Sequence, residues 1–406
     1  MRFLFTSAQL PGHLDWGGYL ATARALVARG HDVLWVSGAA VEAQVRAAGV
    51  PFHIVSETGW RWPPPPALPR AVMADDAWAA ARAQRALDQW LDVERVATAA
   101  TELEPVATAF RPHLLVTEHF VAAAALVAER LALRMVVAGW PAYAQRRTTS
   151  PTQLAIVEDF QQRLAAWGSS GRYFAAGGAP GLESPFLHIT YWSESWYGGA
   201  PNRSAQTRHV GGSSSPPPAP PDNLPSPDAR PWLLVTLGTT FNDDPAFFVA
   251  AAHAAQAVGA QPLVATGHLP AEKANALRQR LPEGAVVRPT FDFNAVLPYT
   301  AAAIHHGGAG TTHALVTHAL PQIVVPHAGD QVQQAQGVAR TGVGEHIPSR
   351  EVTIARLTEE LRLLLPEVGT ARVHARTLRD EFAALGGPPA AADLLEAQAA
   401  SANAPL

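Results

Sequence analysis

Cysteine is absent from the sequence, and charged residues make up only 16% of it. The lack of cysteine excludes disulfide frameworks, thiolate nucleophiles and cysteine-based zinc sites. Charged residues usually account for about a quarter of a globular chain, and Lys273 is the single lysine here. The net charge of −4 argues against nucleic acid as the main partner. The composition therefore favours a protein with a large apolar core and excludes wholesale disorder.

Long apolar runs are also missing. The run at residues 121–128 ends at Glu129, and no stretch approaches the 18 apolar residues of a membrane span. The first ten residues contain a five-residue apolar stretch that is cut off by Pro11, which is too short for the core of a signal peptide. We therefore expect a soluble, cytoplasmic protein without a membrane span. The sequence does not indicate its oligomeric state.

The chain of 406 residues is long enough for two domains. A proline- and serine-rich stretch divides it near its middle, and such a stretch cannot form a helix or a central strand. We predict an N-terminal domain at 1–212, a linker at 213–231 and a C-terminal domain at 232–406. The last helices are candidates to cross back to the first domain.

Both halves alternate short apolar runs with helical patterns. Strands are predicted at 3–7, 33–37, 52–55, 114–118 and 135–138, and then at 233–237, 263–266, 286–288, 303–305 and 323–326. Helices are predicted at 19–29, 40–47, 76–109, 122–131 and 151–166, and then at 245–257, 271–281, 311–317, 330–340 and 354–364. Continuous apolar strands that alternate with helices indicate parallel sheets covered on both faces. The expected fold is α/β, with two doubly wound Rossmann-like domains facing an interdomain cleft, where the ligands would bind.

Tryptophan is concentrated before the linker, which only Trp232 follows. Several tryptophans lie in predicted loops or at their edges, where a core role is less natural: Trp60, Trp62, Trp140, Trp192 and Trp196. An apolar, aromatic-lined pocket in the first domain would account for their positions. The alternative is that most of them simply pack inside one domain.

A glycine-rich turn follows the predicted strand at 303–305. It begins after His305 and His306, contains Gly308 and Gly310, and leads into a helix predicted to open at Thr311. Glycines allow close approach of the backbone, and the free N–H groups and dipole of a helix start favour an anion. The turn lacks the GK[ST] of a Walker loop, and no GxGxxG follows the first strand. We therefore expect a phosphate site; a tight turn without a ligand is the alternative.

HHGGAGTT, followed by P-x-x-x-D-Q at residues 326–331, resembles the donor-binding signature of the family-1, GT-B-fold glycosyltransferases of bacterial natural-product pathways. The resemblance extends to chain length, linker and the GH after the first strand. It implies that domain 1–212 binds the acceptor, in a pocket with Trp60, Trp62 and Trp140, and that domain 232–406 binds the nucleotide-sugar. It implies an inverting transfer of a hexose or deoxyhexose from a dTDP- or UDP-sugar to a hydroxyl of an apolar small molecule. It assigns donor contacts to Thr239, His306, Gly308, Gly310 and Thr311 at the diphosphate and to Asp330 and Gln331 at the sugar.

The nucleotide base and ribose are matched less closely. Thr290 occupies the place where the family usually has the aromatic residue that stacks on the base, and Phe291 follows one residue late. Phe291 is either that stacking residue or part of the core. Many UDP-sugar users carry a glutamate for the ribose hydroxyls where this chain has Ala314. Because 2′-deoxyribose needs this carboxylate less, a dTDP-sugar is favoured over a UDP-sugar.

The resemblance places the catalytic base at His13, in the loop after the first strand. A histidine is suited to deprotonate a hydroxyl near neutral pH, and a carboxylate should orient its ring. That carboxylate is matched by Glu118, where the family usually has aspartate. The alternatives are a histidine that caps the following helix and a solvated strand-end carboxylate. His119 is a rival partner in the pocket.

Neither a metal nor a cofactor is expected. The sequence has no Asp-x-Asp motif, and His313 and His318 are five apart, which does not place both on one helical face. The expected partners are a nucleotide-sugar donor and an apolar small-molecule acceptor. Two alternatives remain on the same scaffold, a sugar-nucleotide epimerase and an auxiliary protein with weak or no catalysis.

Overall fold

The protein is described here by a computed structural model. It describes residues 1–15, 17–61, 75–139, 151–174, 181–198, 204–214, 218–238, 243–327, 331–366 and 368–402. The contacts divide the chain into two compact units. The first unit comprises Met1–Tyr191, Ala200–Val210 and Gly387–Leu406, and the second comprises Trp192–Gly199 and Gly211–Gly386.

The first unit contains a parallel sheet of seven strands in the order β3-β2-β1-β4-β5-β6-β7. The strands are β1 (Arg2–Thr6), β2 (Asp32–Ser37), β3 (Phe52–Ile54), β4 (Leu114–Thr117), β5 (Met135–Gly139), β6 (His188–Thr190) and β7 (Thr207–His209). The helices are α1 (Pro11–Leu14), α2 (Tyr19–Ala28), α3 (Glu42–Ala47), α4 (Asp75–Trp90), α5 (Val93–Phe110), α6 (Ala122–Arg130) and α7 (Pro151–Ala166).

The second unit contains a parallel sheet of six strands in the order β10-β9-β8-β11-β12-β13. The strands are β8 (Trp232–Thr236), β9 (Gln261–Ala265), β10 (Val286–Arg288), β11 (Thr300–His305), β12 (Gln322–Val324) and β13 (Gly344–His346). The helices are α8 (Pro245–Ala257), α9 (Ala271–Arg278), α10 (Phe293–Val296), α11 (Ala309–Thr317), α12 (Gln331–Thr341), α13 (Ile354–Leu364) and α14 (Thr370–Ala384).

The predicted fold class, two doubly wound α/β domains, is confirmed. The central strands are buried along their whole length because helices cover both faces of each sheet. In both sheets the strand order reverses beside the first strand, between β1 and β4 and between β8 and β11. Ligands of such sheets bind outside the carboxyl ends of the strands at this point. The loops after these four strands are therefore the places to look for function.

The predicted helix at 76–109 is wrong, because the structure has two helices there, α4 and α5. Asp92 separates them with an extended backbone, and its carboxylate accepts a hydrogen bond from the N–H of Arg95. An aspartate in this position caps the start of a helix and so favours a break. The strands β6, β7 and β13 were missed, since each has only three residues and no apolar run.

The proline-rich stretch is not a simple tether. Leu224 is buried in a cluster with Trp232 and Leu234 of β8. Backbone carbonyls of the stretch accept hydrogen bonds from side chains of the second unit, Pro225 from Trp232 Nε1 and Pro218 from the Tyr299 hydroxyl. Proline-rich backbone has few amide donors to pair with its own carbonyls, so side chains supply them. The described part of the stretch thus belongs to the second unit.

The last helix, α15 (Gly387–Ala402), packs in the first unit. Its residues Ala391, Ala392, Leu395 and Ala399 are fully buried. Arg29, which follows α2, forms ion pairs with Asp393 at 2.7 Å and Glu396 at 2.9 Å on α15. The chain therefore returns to its first unit after the second is complete.

Candidate active site

His13 and Glu118 are brought together at the reversal point of the first sheet. His13 lies on the short helix α1 after β1, and Glu118 directly follows β4, the neighbour of β1. The distance from His13 Nδ1 to Glu118 Oε1 is 3.0 Å, and both side chains are buried. Because a carboxylate can only accept, Nδ1 carries the hydrogen of this bond. Nε2 is then the ring nitrogen that can take up a proton.

The carboxylate of Glu118 is held by the backbone as well as by His13. The N–H of Ala8 donates to Oε1 and the N–H of Phe120 donates to Oε2, each at 3.1 Å. These bonds compensate for removing a carboxylate from water. They also fix its position, so the longer side chain of glutamate still orients the imidazole.

A layer of buried polar contacts lies beneath this pair. The Tyr19 hydroxyl is 2.9 Å from the carbonyl oxygen of Thr6 and 3.1 Å from that of Val116, at the ends of β1 and β4. The Thr6 hydroxyl donates to the Thr117 hydroxyl at 2.9 Å. These contacts join the two strand ends that carry Ala8 and Glu118, and so support the geometry of the pair.

Aromatic rings surround His13. The centroid of its ring is 4.8 Å from that of Trp60 and 5.4 Å from that of Phe120. The ring of Trp90 packs against Phe120, with 5.9 Å between the two centroids. Trp60, one of the predicted acceptor-pocket residues, therefore lies beside the candidate base. The other two, Trp62 and Trp140, lie outside the described residues.

Two of the loop tryptophans have a different place from the one expected. Trp192 and Trp196 are buried, 4.6 Å apart, and belong to the second unit. Trp192 packs against His313 and Phe382 there. The suggestion that they line a pocket of the first domain is wrong for these two. Their burial in a short segment that crosses units could not be read from local sequence.

His119 has no hydrogen bond to His13 among the described contacts and packs against the rings of Trp90 and Phe120. Burial lowers the pKa of His119 to about 4, although the charge of Glu118 opposes the shift. Its imidazole is neutral at physiological pH. His119 therefore packs among aromatic rings, and it is His13 that pairs with the carboxylate of Glu118.

The glycine turn lies at the reversal point of the second sheet, after β11. Gly308 is the N-cap of α11, which begins at Ala309 rather than at the predicted Thr311. Gly310 and Thr311 thus lie in the first helical turn, whose backbone N–H groups have no carbonyl partner within the helix. Together with the helix dipole, these amides form a site for an anion.

His306 lies between two glycines of the second unit. A Cβ on Gly238 would lie 2.7 Å from its ring and a Cβ on Gly308 only 2.4 Å, so both positions need glycine to leave room for the imidazole. Nδ1 of His306 is buried and has no hydrogen-bond partner in the described part of the chain. Burial, together with His305 and His327, lowers the pKa of His306 to about 3. A backbone hydrogen bond with Thr236 opposes this shift. The ring is therefore neutral and carries one N–H.

The remaining predicted donor residues are placed unevenly. Gln331 begins α12 and its Oε1 accepts a hydrogen bond from the N–H of His327 at 2.8 Å, so this oxygen already has a partner. Phe291 is half-buried against the second unit's core, with the Arg288 guanidinium 5.6 Å above its ring. Thr239 and Asp330 lie outside the described residues.

Sequence reasoning missed His327. Its Nε2 is 3.2 Å from Asp244 Oδ2, and its Nδ1 is 2.8 Å from the carbonyl oxygen of Val325. Asp244 also caps α8 by accepting a hydrogen bond from the N–H of Phe247. His327 follows the end of β12, and the rule that functional side chains follow strand ends would have pointed to it.

No helix among the described residues is long and apolar enough to cross a membrane. In the same part of the chain, no group of three or more histidine and acidic side chains is placed to hold a metal ion.

Comparison with known proteins places the chain among glycosyltransferases. Residues 258–397 match the family described as "Erythromycin biosynthesis protein CIII-like, C-terminal domain". The chain is 31% identical over 300 residues to the elloramycin glycosyltransferase ElmGT of Streptomyces olivaceus, covering 70% of this chain and 69% of that protein. It is 34% identical over 182 residues to aklavinone 7-beta-L-rhodosaminyltransferase of Streptomyces galilaeus, covering 43% of this chain and 40% of that protein. Such shorter matches span less than half of the relative's length.

Solved structures agree in fold. The calicheamicin glycosyltransferase CalG4 superposes with a TM-score of 0.76 at 23% identity, covering 100% of this chain and 99% of that chain. The Streptomyces sp. SF2575 glycosyltransferase SsfS6, solved in complex with thymidine diphosphate, has a TM-score of 0.66 at 21% identity, covering 98% and 99% of the two chains. By its sequence match to ElmGT and its GT-B fold, the chain belongs to the glycosyltransferases of bacterial natural-product biosynthesis.

Proposed function

We propose that this protein is an inverting glycosyltransferase that moves a hexose or deoxyhexose from a nucleoside diphosphate to a hydroxyl of an apolar small molecule. The observation that carries the proposal is the 3.0 Å contact between His13 and Glu118. A buried histidine oriented by a carboxylate has the form of a general base. It stands at the strand ends where α/β sheets bind their ligands.

The chemistry is a single displacement. The acceptor hydroxyl gives its proton to Nε2 of His13 as its oxygen attacks the anomeric carbon of the sugar. The bond from that carbon to the diphosphate oxygen breaks, and its electron pair leaves with the nucleoside diphosphate. Glu118 stabilises the imidazolium that forms. Attack opposite to the leaving group inverts the configuration of the sugar.

The leaving diphosphate would be bound by the glycine turn of the second unit. Amides of the first turn of α11 can donate to its oxygens, and His306 can donate one further hydrogen bond. We propose that these groups stabilise the departing charge without a metal ion. Transfer should then persist in EDTA, and restoration of a lost activity by Mg²⁺ would contradict the proposal.

A dTDP-sugar is the proposed donor. Ala314 offers no carboxylate to a ribose 2′-hydroxyl, and the relative SsfS6 was solved with thymidine diphosphate. Thermal shift at matched concentrations should favour dTDP over UDP, and Ala314→Glu should narrow the difference. A larger shift with UDP for the wild-type protein would reverse this preference and leave the transfer itself open to test.

The acceptor is proposed to be the aglycone of an antibiotic-like natural product. Relatives carry names that include aklavinone and elloramycin, and the rings of Trp60 and Phe120 flank His13 with apolar surface. The test is to incubate purified protein with dTDP-glucose and polyketide aglycones and to measure dTDP release and glycoside. Acceptor-dependent release, lost in His13→Ala although that variant still binds dTDP, is the expected result. Release without any acceptor product, or none at all with a panel of donors, would contradict transfer.

A further inference from the structure

His305 lies at the end of β11, just before the proposed phosphate contacts, and bonds directly to the turn that makes them. Its side chain is fully buried at the end of β11. The N–H of Gly307 donates to His305 Nδ1 at 3.1 Å, and His305 Nε2 is 3.0 Å from Gln322 Oε1 on the neighbouring strand β12. A single ring thus links the glycine turn to the sheet.

These contacts determine where the hydrogen of the ring lies. An amide N–H only donates, so Nδ1 must present its lone pair to Gly307. Nε2 then carries the hydrogen and donates it to Gln322, whose amide must turn its oxygen toward the ring. Burial lowers the pKa of His305 to about 4, with the Gln322 contact opposing, so the ring is neutral near pH 7 and can accept at Nδ1.

Gln322 supplies an independent observation. Its side chain is fully buried, and its Nε2 has no hydrogen-bond partner in the described part of the chain. An unpartnered buried donor destabilises a fold, because the group has lost its hydrogen bonds to water. An apolar residue would avoid this cost, so the glutamine is explained by what its oxygen does, which is to hold the ring of His305.

The bonded amide belongs to the peptide that joins His306 to Gly307. Gly307 has φ +90°, and a Cβ there would lie 2.7 Å from Val324 Cγ1. Its left-handed backbone is therefore closely packed as well as hydrogen-bonded. Holding this peptide orients His306 on one side and the amides of Gly308 and α11 on the other.

We propose that His305 is a positioning residue for donor binding, which it serves by accepting the Gly307 N–H and anchoring to Gln322. The inference rests on the proposed function, because it takes the turn to be the diphosphate site. It assigns to His305 no contact with the donor, and its effect acts through the peptide between His306 and Gly307.

Two substitutions separate the halves of this link. His305→Asn keeps an acceptor at the position of Nδ1 and loses the contact with Gln322. His305→Gln keeps a donor near the position of Nε2 and leaves the Gly307 N–H without its acceptor. Each variant loses one hydrogen bond, so a merely structural role would lower dTDP affinity equally in both. His318→Asn and His318→Gln, at the end of α11, are the matched controls.

Calorimetry should find the dTDP affinity of His305→Asn within about threefold of the wild type and that of His305→Gln lower by about tenfold or more. In His305→Gln the amides of the glycine turn are no longer aligned with the charged ligand, so their hydrogen bonds to it weaken. In turnover, His305→Gln should raise the donor KM and leave the acceptor KM unchanged. Equal dTDP affinities in the two His305 variants would overturn the proposal. Losses of dTDP affinity in the His318 variants as large as those in the His305 variants would also overturn it.

A ¹⁵N NMR measurement of the His305 ring tests the link without any ligand. A hydrogen on Nε2 and a bare Nδ1 are expected, and a hydrogen on Nδ1 would overturn the proposal because that nitrogen could not accept from Gly307. If the wild-type protein binds neither dTDP nor UDP, the proposed function fails. The ring's tautomer then still decides whether His305 holds the turn.

Discussion

Replacing Glu118 by glutamine tests whether the buried charge acts through His13. Two N–H groups, of Ala8 and His13, meet Oε1, whereas one, of Phe120, meets Oε2. The glutamine amide will therefore turn its oxygen toward His13 and its NH₂ toward Phe120. In this orientation the NH₂ faces one N–H donor, whereas in the other orientation it would face two. His13 keeps its tautomer and loses only the charge of its partner. The NH₂ of the glutamine and the N–H of Phe120 then face each other without an acceptor, which should lower the free energy of unfolding by about 1–3 kcal/mol.

The cost in rate follows from the lost ion pair in the transition state. Two unit charges about 4 Å apart interact by about 4 kcal/mol at the effective dielectric constant of about 20 that suits protein sites. That energy equals about three powers of ten in rate, and it is an upper limit because the imidazolium is only partly formed in the transition state. We expect Glu118→Gln to lower kcat by about 10²–10³-fold with unchanged dTDP affinity.

The assay is steady-state transfer with saturating donor, together with calorimetry of dTDP. Glu129→Gln is the matched control, since that carboxylate also accepts backbone N–H bonds, from Ser170 and Arg172, but pairs with no catalytic group. In a His13→Ala background, Glu118→Gln should cost almost nothing further, because groups that act as a unit are not additive. A kcat within about threefold of wild type, or a full additional loss in that background, would refute the pairing.

Three further predictions concern other parts of the molecule. His306→Ala should weaken dTDP binding by about 1.5–3 kcal/mol, the range for losing a hydrogen bond to a charged group, and an unchanged calorimetric affinity would remove His306 from the donor site. Trp60→Ala should raise the acceptor KM about tenfold through lost ring contact while the donor KM stays the same; if both rise together, the side chain supports the fold instead. Burial, with a contribution from His119, lowers the pKa of His188 to about 3, so the unfolded chain takes up a proton below pH 6.5 that the folded chain refuses, and stability falls as the pH drops from 6.5 toward 3. His188→Gln, which can still accept the Ser184 N–H, should reduce this slope in urea denaturation at pH 6.5, 5.5 and 4.5 by about one proton, and an unchanged slope would show that His188 does not cause it.

Strand ends were the part of the molecule most readily predicted. The apolar runs of β1, β4 and β11 are continuous in sequence, so the pattern alone predicts that the positions after them face a ligand. The contact of His13 with Glu118 depends on β1 and β4 being neighbours, which follows from the strand order and not from either local segment. The resemblance supplied this pairing; the structure adds the backbone N–H groups that hold it.

Non-local packing explains what sequence reasoning could not reach. His305 and Gln322 are polar residues in apolar strands, and only the register of β11 beside β12 brings their side chains together. Trp192 and Trp196 follow β6 of the first unit but are buried in the second. No ranges were predicted for α14 and α15, which follow the last strand of each sheet; only a crossing of the last helices back to the first domain was anticipated.

The place of α15 has a consequence for how the chain is made. The ribosome produces the strands of the first sheet before the strands of the second sheet. The helix α15, which covers the first sheet with Leu395, is synthesised only after the whole second unit. During translation the second unit can complete its own core while the first unit still exposes the apolar surface that α15 later covers. The first unit made is thus the last to finish folding, and a chaperone or a protease would meet its uncovered face throughout synthesis of the second.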